Sequence, residues 1–240
     1  MLFDWNAQTF AWLADASAYT GYDRELAKLL LPRLEGCETL CDIGCGMGLA
    51  DLELAPHMKA VTCVDVSAPV LENLRERAAA LGLGNIETRC CPGAEAEGEW
   101  DAVMALFHGQ VEEIVPIYLQ KARKRLILVT HGSAYGSTGP EGYRLRKCCD
   151  VDSTVAWLEE RGYRYSLLRG ELEFGQPHRS LEDAVAYTRT FTKKVPEEEL
   201  LAWVKDKAVE TGRADFPLYT PKKRAFGIFV IGREDNEQLS

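Results

Sequence analysis

The most constraining feature of this chain is a regular alternation of short apolar segments with amphipathic segments of helical period. Apolar segments of the length typical of strands lie at residues 39–43, 60–64, 86–90, 100–105 and 126–130. Amphipathic segments separate several of them, as at 48–54 and 67–81. Parallel strands need long crossover connections, which are usually helices. The alternation therefore predicts an α/β protein with a parallel sheet covered by helices on both faces.

Helical patterns also flank this region, and two later strands are predicted at 163–174 and 226–231. The first 35 residues are predicted to form helices, with Asp23 as an N-cap. Helices are also predicted at 181–190 and 196–210. We expect one domain over residues 1–240. In it, 1–35 form a helical cap, 36–180 and 216–235 form the sheet core, and 181–215 form a helical insert that serves as a lid or as an extra core layer.

Composition narrows the possible partners. With 28 basic and 37 acidic residues, the net charge is −9, which disfavours nucleic acid because phosphate binding depends on Lys and Arg. The basic stretch at 222–224 is interpreted as a solvated approach to the last strand. No apolar run is long enough to span a bilayer, and the N-terminus lacks the pattern of a secretory signal. We therefore expect a cytoplasmic protein with no membrane partner.

The eight cysteines do not predict a metal site. None of their spacings is the Cys-x2-Cys that zinc sites favour, and a disulfide framework is typical of short secreted chains. We expect most of them to be reduced thiols that act as small core residues.

The segment Asp42-Ile-Gly-Cys-Gly-Met-Gly48 ends a predicted strand and opens a helix. Glycine permits positive φ angles and close approach of a ligand to the main chain. A dinucleotide fingerprint would have Gly at the sixth position, where this chain has Leu49. An acid at position 42 suits a ligand that carries positive charge. Asp65, at the end of the next strand, can accept hydrogen bonds from both ribose hydroxyls, a feature common to NAD and S-adenosylmethionine sites.

At these residues the sequence resembles the class I S-adenosylmethionine-dependent methyltransferases, and the resemblance covers about 34–130. It implies a Rossmann-like sheet of seven strands, mostly parallel with the last strand antiparallel. It also implies S-adenosyl-L-methionine as co-substrate and methyl transfer to a small-molecule acceptor. The positions that it places at the cofactor are Asp42, Gly44, Cys45, Gly46, Gly48, Asp65, Val66, Ala94, Glu95, Ala105 and Leu106.

One motif departs from the family pattern. Where the family often has an Asp that receives the adenine amino group, this chain has Gly93. Either Glu95 takes over that contact, or the backbone of Ala94 alone holds adenine.

Two residues are candidates for a catalytic role. His108 follows the fourth strand and is either a general base or a histidine satisfied by backbone. Tyr19 either closes the cofactor site or packs in the core. His131 is a weaker candidate, and His57 and His178 are predicted to lie at the surface.

The loop at 132–143, with Tyr135 and Tyr143, is expected to border the acceptor pocket. Two other functions stay open at this point. One is methylation of a protein or tRNA, and the other is a sensor or partner subunit that binds the cofactor without catalysis. The acceptor atom and the oligomeric state stay open as well.

Overall fold

The structure is a computed structural model, and it describes residues 5–132, 138–140, 143, 150–192 and 194–239. The described residues form ten strands: β1 (Thr39–Ile43), β2 (Ala60–Asp65), β3 (Ile86–Cys90), β4 (Trp100–Leu106), β5 (Ala122–His131), β6 (Ser166–Glu173), β7 (Gln176–His178), β8 (Val209–Glu210), β9 (Leu218–Thr220) and β10 (Lys223–Gly232). They also form eight α-helices: α1 (Ala7–Thr20), α2 (Tyr22–Leu30), α3 (Leu49–Leu54), α4 (Ala68–Ala80), α5 (Val111–Lys121), α6 (Val151–Glu160), α7 (Leu181–Thr190) and α8 (Glu197–Lys207).

Seven strands form the central sheet in the order β3-β2-β1-β4-β5-β10-β6. Strand β10 is antiparallel to both of its neighbours, β5 and β6. The pairs among β1 to β5 are all parallel. The fold class predicted from the sequence is therefore confirmed. The carboxyl ends of β1, β2, β4 and β5 meet at one edge of this sheet, together with the start of β10.

Successive side chains along each strand point to opposite faces of the sheet, so they pack into two separate cores. In β1, Leu40 packs with Leu26 of α2 and Leu74 of α4 on one face. Its neighbour Cys41 packs with Leu119 of α5 on the other face. Helices thus cover both faces of the sheet.

The region after β6 contains a second sheet that the sequence pattern does not indicate. Strands β7, β9 and β8 pair in that order, and both pairings are antiparallel. The helix predicted at 196–210 ends at Lys207, and residues 209–210 belong to β8. This small sheet and helices α7 and α8 are called the cap from here on, in distinction from the helical cap predicted at residues 1–35. The side chain of Trp12 in α1 joins the cap through its Nε1–H, which donates to Asp183 Oδ1 at 2.8 Å.

Two predictions, one about β7 and one about α2, were wrong. His178 does not lie at the surface: it is 0% exposed, because β7 packs between α1 and α7. Its ring packs against Tyr187, and its Nε2 lies 3.0 Å from Thr220 Oγ1. Asp23 does not cap α2, since that helix begins at Tyr22 with Gly21 at the N-cap position.

Within the described ranges, no helix is both long enough and apolar enough to cross a membrane.

Candidate functional site

A turn of alternating glycines connects β1 to α3 at the carboxyl edge of the sheet. Gly44, Gly46 and Gly48 have φ angles of 79°, 55° and 59°, which lie in the left-handed region that favours glycine. The N–H groups of Gly44 and Cys45 donate to the carbonyl of Val64 at 2.8 and 3.1 Å. We call residues 44–48 the glycine turn. These bonds hold it against the end of β2.

Asp65 lies at the end of β2 and faces the glycine turn. Its Oδ2 accepts from the N–H of Gly46 at 3.0 Å, and its Oδ1 accepts from the N–H of Ser67 at 2.9 Å. Two backbone donors therefore fix the carboxylate, while each oxygen keeps a second lone pair for a ligand hydroxyl. The next residue, Val66, is 48% exposed and offers apolar surface beside this carboxylate.

Asp42 is buried, and its contact with the cofactor stays a prediction. Its side chain is 1% exposed in the middle of the sheet, where its register partners are Cys63 of β2 and Met104 of β4. Burial raises the pKa of Asp42 well above its ordinary value, and nearby Asp51 of α3 acts in the same direction. The structure thus places Asp42 beneath the glycine turn. The sequence reasoning missed Asp51, which is also fully buried there.

Gly93 stands where the family often has an Asp, and the packing around it gives a steric reason for this difference. A Cβ atom placed on Gly93 would lie 2.2 Å from Cγ2 of Ile43 and 2.4 Å from the hydroxyl oxygen of Tyr118. No larger residue fits at this position without moving its neighbours. Ala94 and Glu95 follow in a short 3-10 turn and are exposed, and which of the two contacts adenine stays a prediction.

The backbone bends sharply where β4 ends. Ala105 is buried, Leu106 pairs with Val129 of β5, and Phe107 then has a φ of 53°. A residue other than glycine in this region costs about 1–2 kcal/mol, so the bend is a strained feature at the site. It is stabilised by the N–H of Phe107, which donates to the Val129 carbonyl at 2.7 Å.

This bend places the imidazole of His108 directly over Gly44. A Cβ atom at Gly44 would lie only 2.2 Å from Cγ of His108. Burial lowers the pKa of His108, while the charge of Asp65 acts in the opposite direction. The neutral form, which can accept a proton, is therefore favoured near neutral pH.

The carboxyl ends of β4 and β5 carry a group of aromatic and basic side chains. The rings of Phe107 and His131 lie 4.7 Å apart between centroids. The guanidinium of Arg224, at the start of β10, lies over the rings of Phe174 at 3.6 Å and Phe107 at 5.0 Å. Burial lowers the pKa of His131 to about 4, and the charge of Arg224 adds to this effect. Arg224 comes from the basic stretch interpreted as solvated, so sequence reasoning missed its place here.

Of the two alternatives for Tyr19, the structure shows packing against other aromatic rings. Tyr19 packs against Tyr219 at 4.8 Å and against Phe216 at 6.0 Å, which are residues of the cap. Trp5 lies over the glycine turn instead, where a Cβ at Gly46 would be 3.4 Å from its ring. The resemblance draws attention to tyrosine, and no local signal singles out Trp5.

Two further sequence expectations concern the loop after β5 and the presence of metal. Tyr135 lies outside the described residues. Tyr143 is described, and its hydroxyl donates to Glu199 of α8 at 3.2 Å. In the described part of the chain, no group of three or more His, Cys, Asp or Glu side chains is arranged to hold a metal ion.

The strand order defines a Rossmann-like fold, and the acid at the end of β2 lies beside the glycine turn at the carboxyl edge of the sheet. Residues 40–126 match the family described as the methyltransferase domain. This part of the chain therefore matches a methyltransferase domain, and the structure has the fold of the class I S-adenosylmethionine-dependent methyltransferases, as the sequence resemblance predicts. The predicted co-substrate agrees with this family and fold. A comparison with curated proteins found no sequence match.

Solved structures share the fold at low sequence identity. One is a candidate methyltransferase from Bacillus halodurans C-125, with 15% identity and a TM-score of 0.55 over 86% of this chain and 98% of that one. Another is a geranyl diphosphate methyltransferase in complex with SAM, with 16% identity and a TM-score of 0.52 over 87% and 84%. A third is the magnesium protoporphyrin IX methyltransferase of Synechocystis PCC 6803 with bound SAM, with 15% identity and a TM-score of 0.51 over 95% and 85%.

Proposed function

We propose that this protein transfers the methyl group of S-adenosylmethionine to a small-molecule acceptor. The observation that carries the proposal is the geometry around Asp65. Backbone N–H groups of Gly46 and Ser67 fix its carboxylate beside the glycine turn. Both of its oxygens can accept further hydrogen bonds, and the two hydroxyls of a ribose match that arrangement.

The surroundings of the glycine turn favour a cationic nucleoside over a dinucleotide. A pyrophosphate prefers the N-terminus of a helix that carries no acid. Here α3 has only six residues, and Asp51 lies in its first turn. Asp42 lies beneath the same turn. Negative charge at this point repels phosphate and attracts the ammonium and sulfonium groups of S-adenosylmethionine.

The chemistry requires alignment more than acid or base groups. The acceptor attacks the methyl carbon as the bond from that carbon to sulfur breaks, and S-adenosylhomocysteine leaves. Holding the two reactants in line and excluding water can supply about 7–11 kcal/mol of the barrier reduction. We assign the exclusion of water to Trp5 over the turn. We assign to His108 the role of general base when the acceptor arrives protonated.

The acceptor side of the site supports a small molecule. Phe107, His131 and Arg224 line the carboxyl ends of β4 and β5, and Tyr22 and Phe174 lie against the same guanidinium. We infer that a compact acceptor binds beside these side chains, next to the donor. The net charge of −9 opposes binding of a nucleic acid.

The test is turnover with labelled donor. Purified protein is incubated with S-adenosylmethionine labelled in the methyl group and a metabolite extract of small molecules. We expect S-adenosylhomocysteine and a labelled product below about 1 kDa, the size range of small molecules that protein pockets generally enclose. Labelled protein or tRNA in a parallel incubation would overturn the acceptor class. Tight donor binding without any S-adenosylhomocysteine would instead indicate a sensor.

A further inference from the structure

Two carboxyl groups are buried together beneath the glycine turn. Asp42 comes from β1 and is 1% exposed, and Asp51 comes from the first turn of α3 and is 0% exposed. The two side chains lie within hydrogen-bonding reach of each other. Asp51 also abuts the glycine turn, because a Cβ atom at Gly48 would lie 3.3 Å from its Oδ2.

The hydrogen bonding of this pair is incomplete if both groups are ionised. None of the four carboxyl oxygens accepts a hydrogen bond of standard geometry from a described residue. The Cys63 thiol and the backbone N–H of Asp51 itself lie near Asp51, but neither makes such a bond. A buried carboxylate without donors costs several kcal/mol, so an arrangement with two of them is unstable.

Among the described residues, the groups with the largest electrostatic effect on the pair carry no positive charge. The glycine turn contributes the Cys45 thiol, β2 contributes the Cys63 thiol and Asp65, and α2 contributes Asp23. Each of these groups is neutral or negative. A proton is then the counterion that this pocket can hold, and one proton on one carboxyl also supplies the missing donor to the other.

We propose that Asp42 and Asp51 share one proton, so that the pair carries a single negative charge, and that Asp51 is a positioning residue that fixes the Asp42 carboxyl beneath the turn. The part of this inference that concerns ligand binding rests on the proposed function. The single charge faces the side of the turn where a cationic nucleoside binds. Such a ligand stabilises the ionised pair, so its affinity rises as the pH increases through the range in which the shared proton is lost.

The first experiment uses the protein without any ligand. Carboxyl carbon NMR follows the titration of each aspartate in the wild type and in Asp51→Asn. In the wild type we expect two coupled transitions, with the upper one near or above pH 6, because burial raises the pKa of Asp51 to about 6 and that of Asp42 well above its ordinary value. In Asp51→Asn we expect a single transition, that of Asp42, at a lower pH than the upper transition of the wild type, because the amide donates to the Asp42 carboxyl and the repulsion from Asp51 is removed. Two independent transitions in the ordinary range below about pH 4.5 would overturn the proposal.

The second experiment compares two substitutions at the same position. Asn keeps a donor toward Asp42, whereas Leu has a similar volume and no donor. For S-adenosylmethionine at pH 7, we expect Asp51→Asn to bind within about threefold of the wild type and Asp51→Leu to bind at least about tenfold more weakly. The affinity of Asp51→Asn should also lose the rise with pH. Asp206→Asn, at an exposed position of α8, serves as the matched control.

The outcomes separate this proposal from the proposed function. Equal loss of affinity in the Asn and Leu variants, with a wild-type pH profile in Asp51→Asn, would show that Asp51 only fills space. If the wild type does not bind S-adenosylmethionine at all, the proposed function fails. The NMR titration of the ligand-free protein then still decides whether the proton is shared.

Discussion

Replacing Gly44 with Ala tests the contact between the glycine turn and the end of β4. Two costs are expected. The φ of 79° is unfavourable for any residue with a Cβ, at about 1–2 kcal/mol. In addition, the new methyl group would lie 2.2 Å from Cγ and 2.4 Å from Nδ1 of His108, so the imidazole must move. Overpacking of this kind costs about 1–3 kcal/mol, which brings the expected loss of stability to about 2–5 kcal/mol.

The chain provides a matched control for the backbone part of this cost. Gly36 has a φ of 75°, and a Cβ placed there meets nothing within 4 Å. Gly36→Ala should therefore lose only about 1–2 kcal/mol. Urea unfolding of both variants gives the free energy of unfolding by linear extrapolation. The difference between the two variants measures the displacement of the imidazole.

A double variant makes the assignment specific. If the clash is with His108, then removing that ring in Gly44→Ala/His108→Ala should recover about 1–3 kcal/mol relative to the sum of the single changes. Calorimetry should show that Gly44→Ala binds S-adenosylmethionine at least about tenfold more weakly, since the turn is displaced. Equal stability of Gly44→Ala and Gly36→Ala, together with additive effects in the double variant, would refute the reasoning.

Two further predictions address positions at which the sequence was misleading. Gly93→Asp restores the acid of the family pattern, but its side chain would collide with Ile43 and Tyr118, so urea unfolding should show a loss of at least about 1–3 kcal/mol. Unchanged stability with tighter binding of S-adenosylmethionine would contradict this. Burial lowers the pKa of His178 to about 4, although Asp183 opposes the shift, so only the unfolded state takes up the proton between about pH 6.5 and 4. Stability is therefore lost as the pH falls through this range, and His178→Gln should remove about 2 kcal/mol of the loss between pH 7 and 5. Parallel pH dependence of the two proteins would contradict the assignment.

Local patterns were sufficient to predict the elements that form the central sheet. Strand β1 has the predicted bounds, as does helix α7, because an apolar run marks the strand and the N-cap Ser180 marks the start of the helix. The order of the strands came from the resemblance, since periodicity does not determine which strands are neighbours. The position of Asp65 was also predictable, because it follows an apolar strand at the expected distance from the glycine turn.

The cap was not predictable in the same way. Its strands β7, β8 and β9 have only two or three residues, and β7 pairs with a strand about forty residues later. A run of three residues carries no recognisable period. The burial of His178 depends on this non-local pairing, so its polarity alone led to the wrong prediction.

Contacts between distant parts of the chain also determine positions within the site, and local sequence patterns do not reveal them. His108 was recognised as a candidate, but its position over Gly44 depends on the positive φ of Phe107, and nothing in an aromatic residue signals such a bend. Arg224 reaches the site from the far end of the chain. Asp51 looks like an ordinary exposed acid of a short helix until the packing of α2 and α3 shows it to be buried.

The central claim is that Asp65 and the glycine turn hold the nucleoside of S-adenosylmethionine. Calorimetric titration of the wild type and of Asp65→Asn with this ligand tests it most directly, with NAD as the alternative ligand. Asn keeps the shape of the side chain but has one acceptor oxygen and no charge. We expect binding of one ligand per chain and a loss of at least about tenfold in Asp65→Asn, since hydrogen bonds to a charged group contribute about 1.5–3 kcal/mol. Equal affinity of the two proteins, or binding of NAD in place of S-adenosylmethionine, would contradict the account.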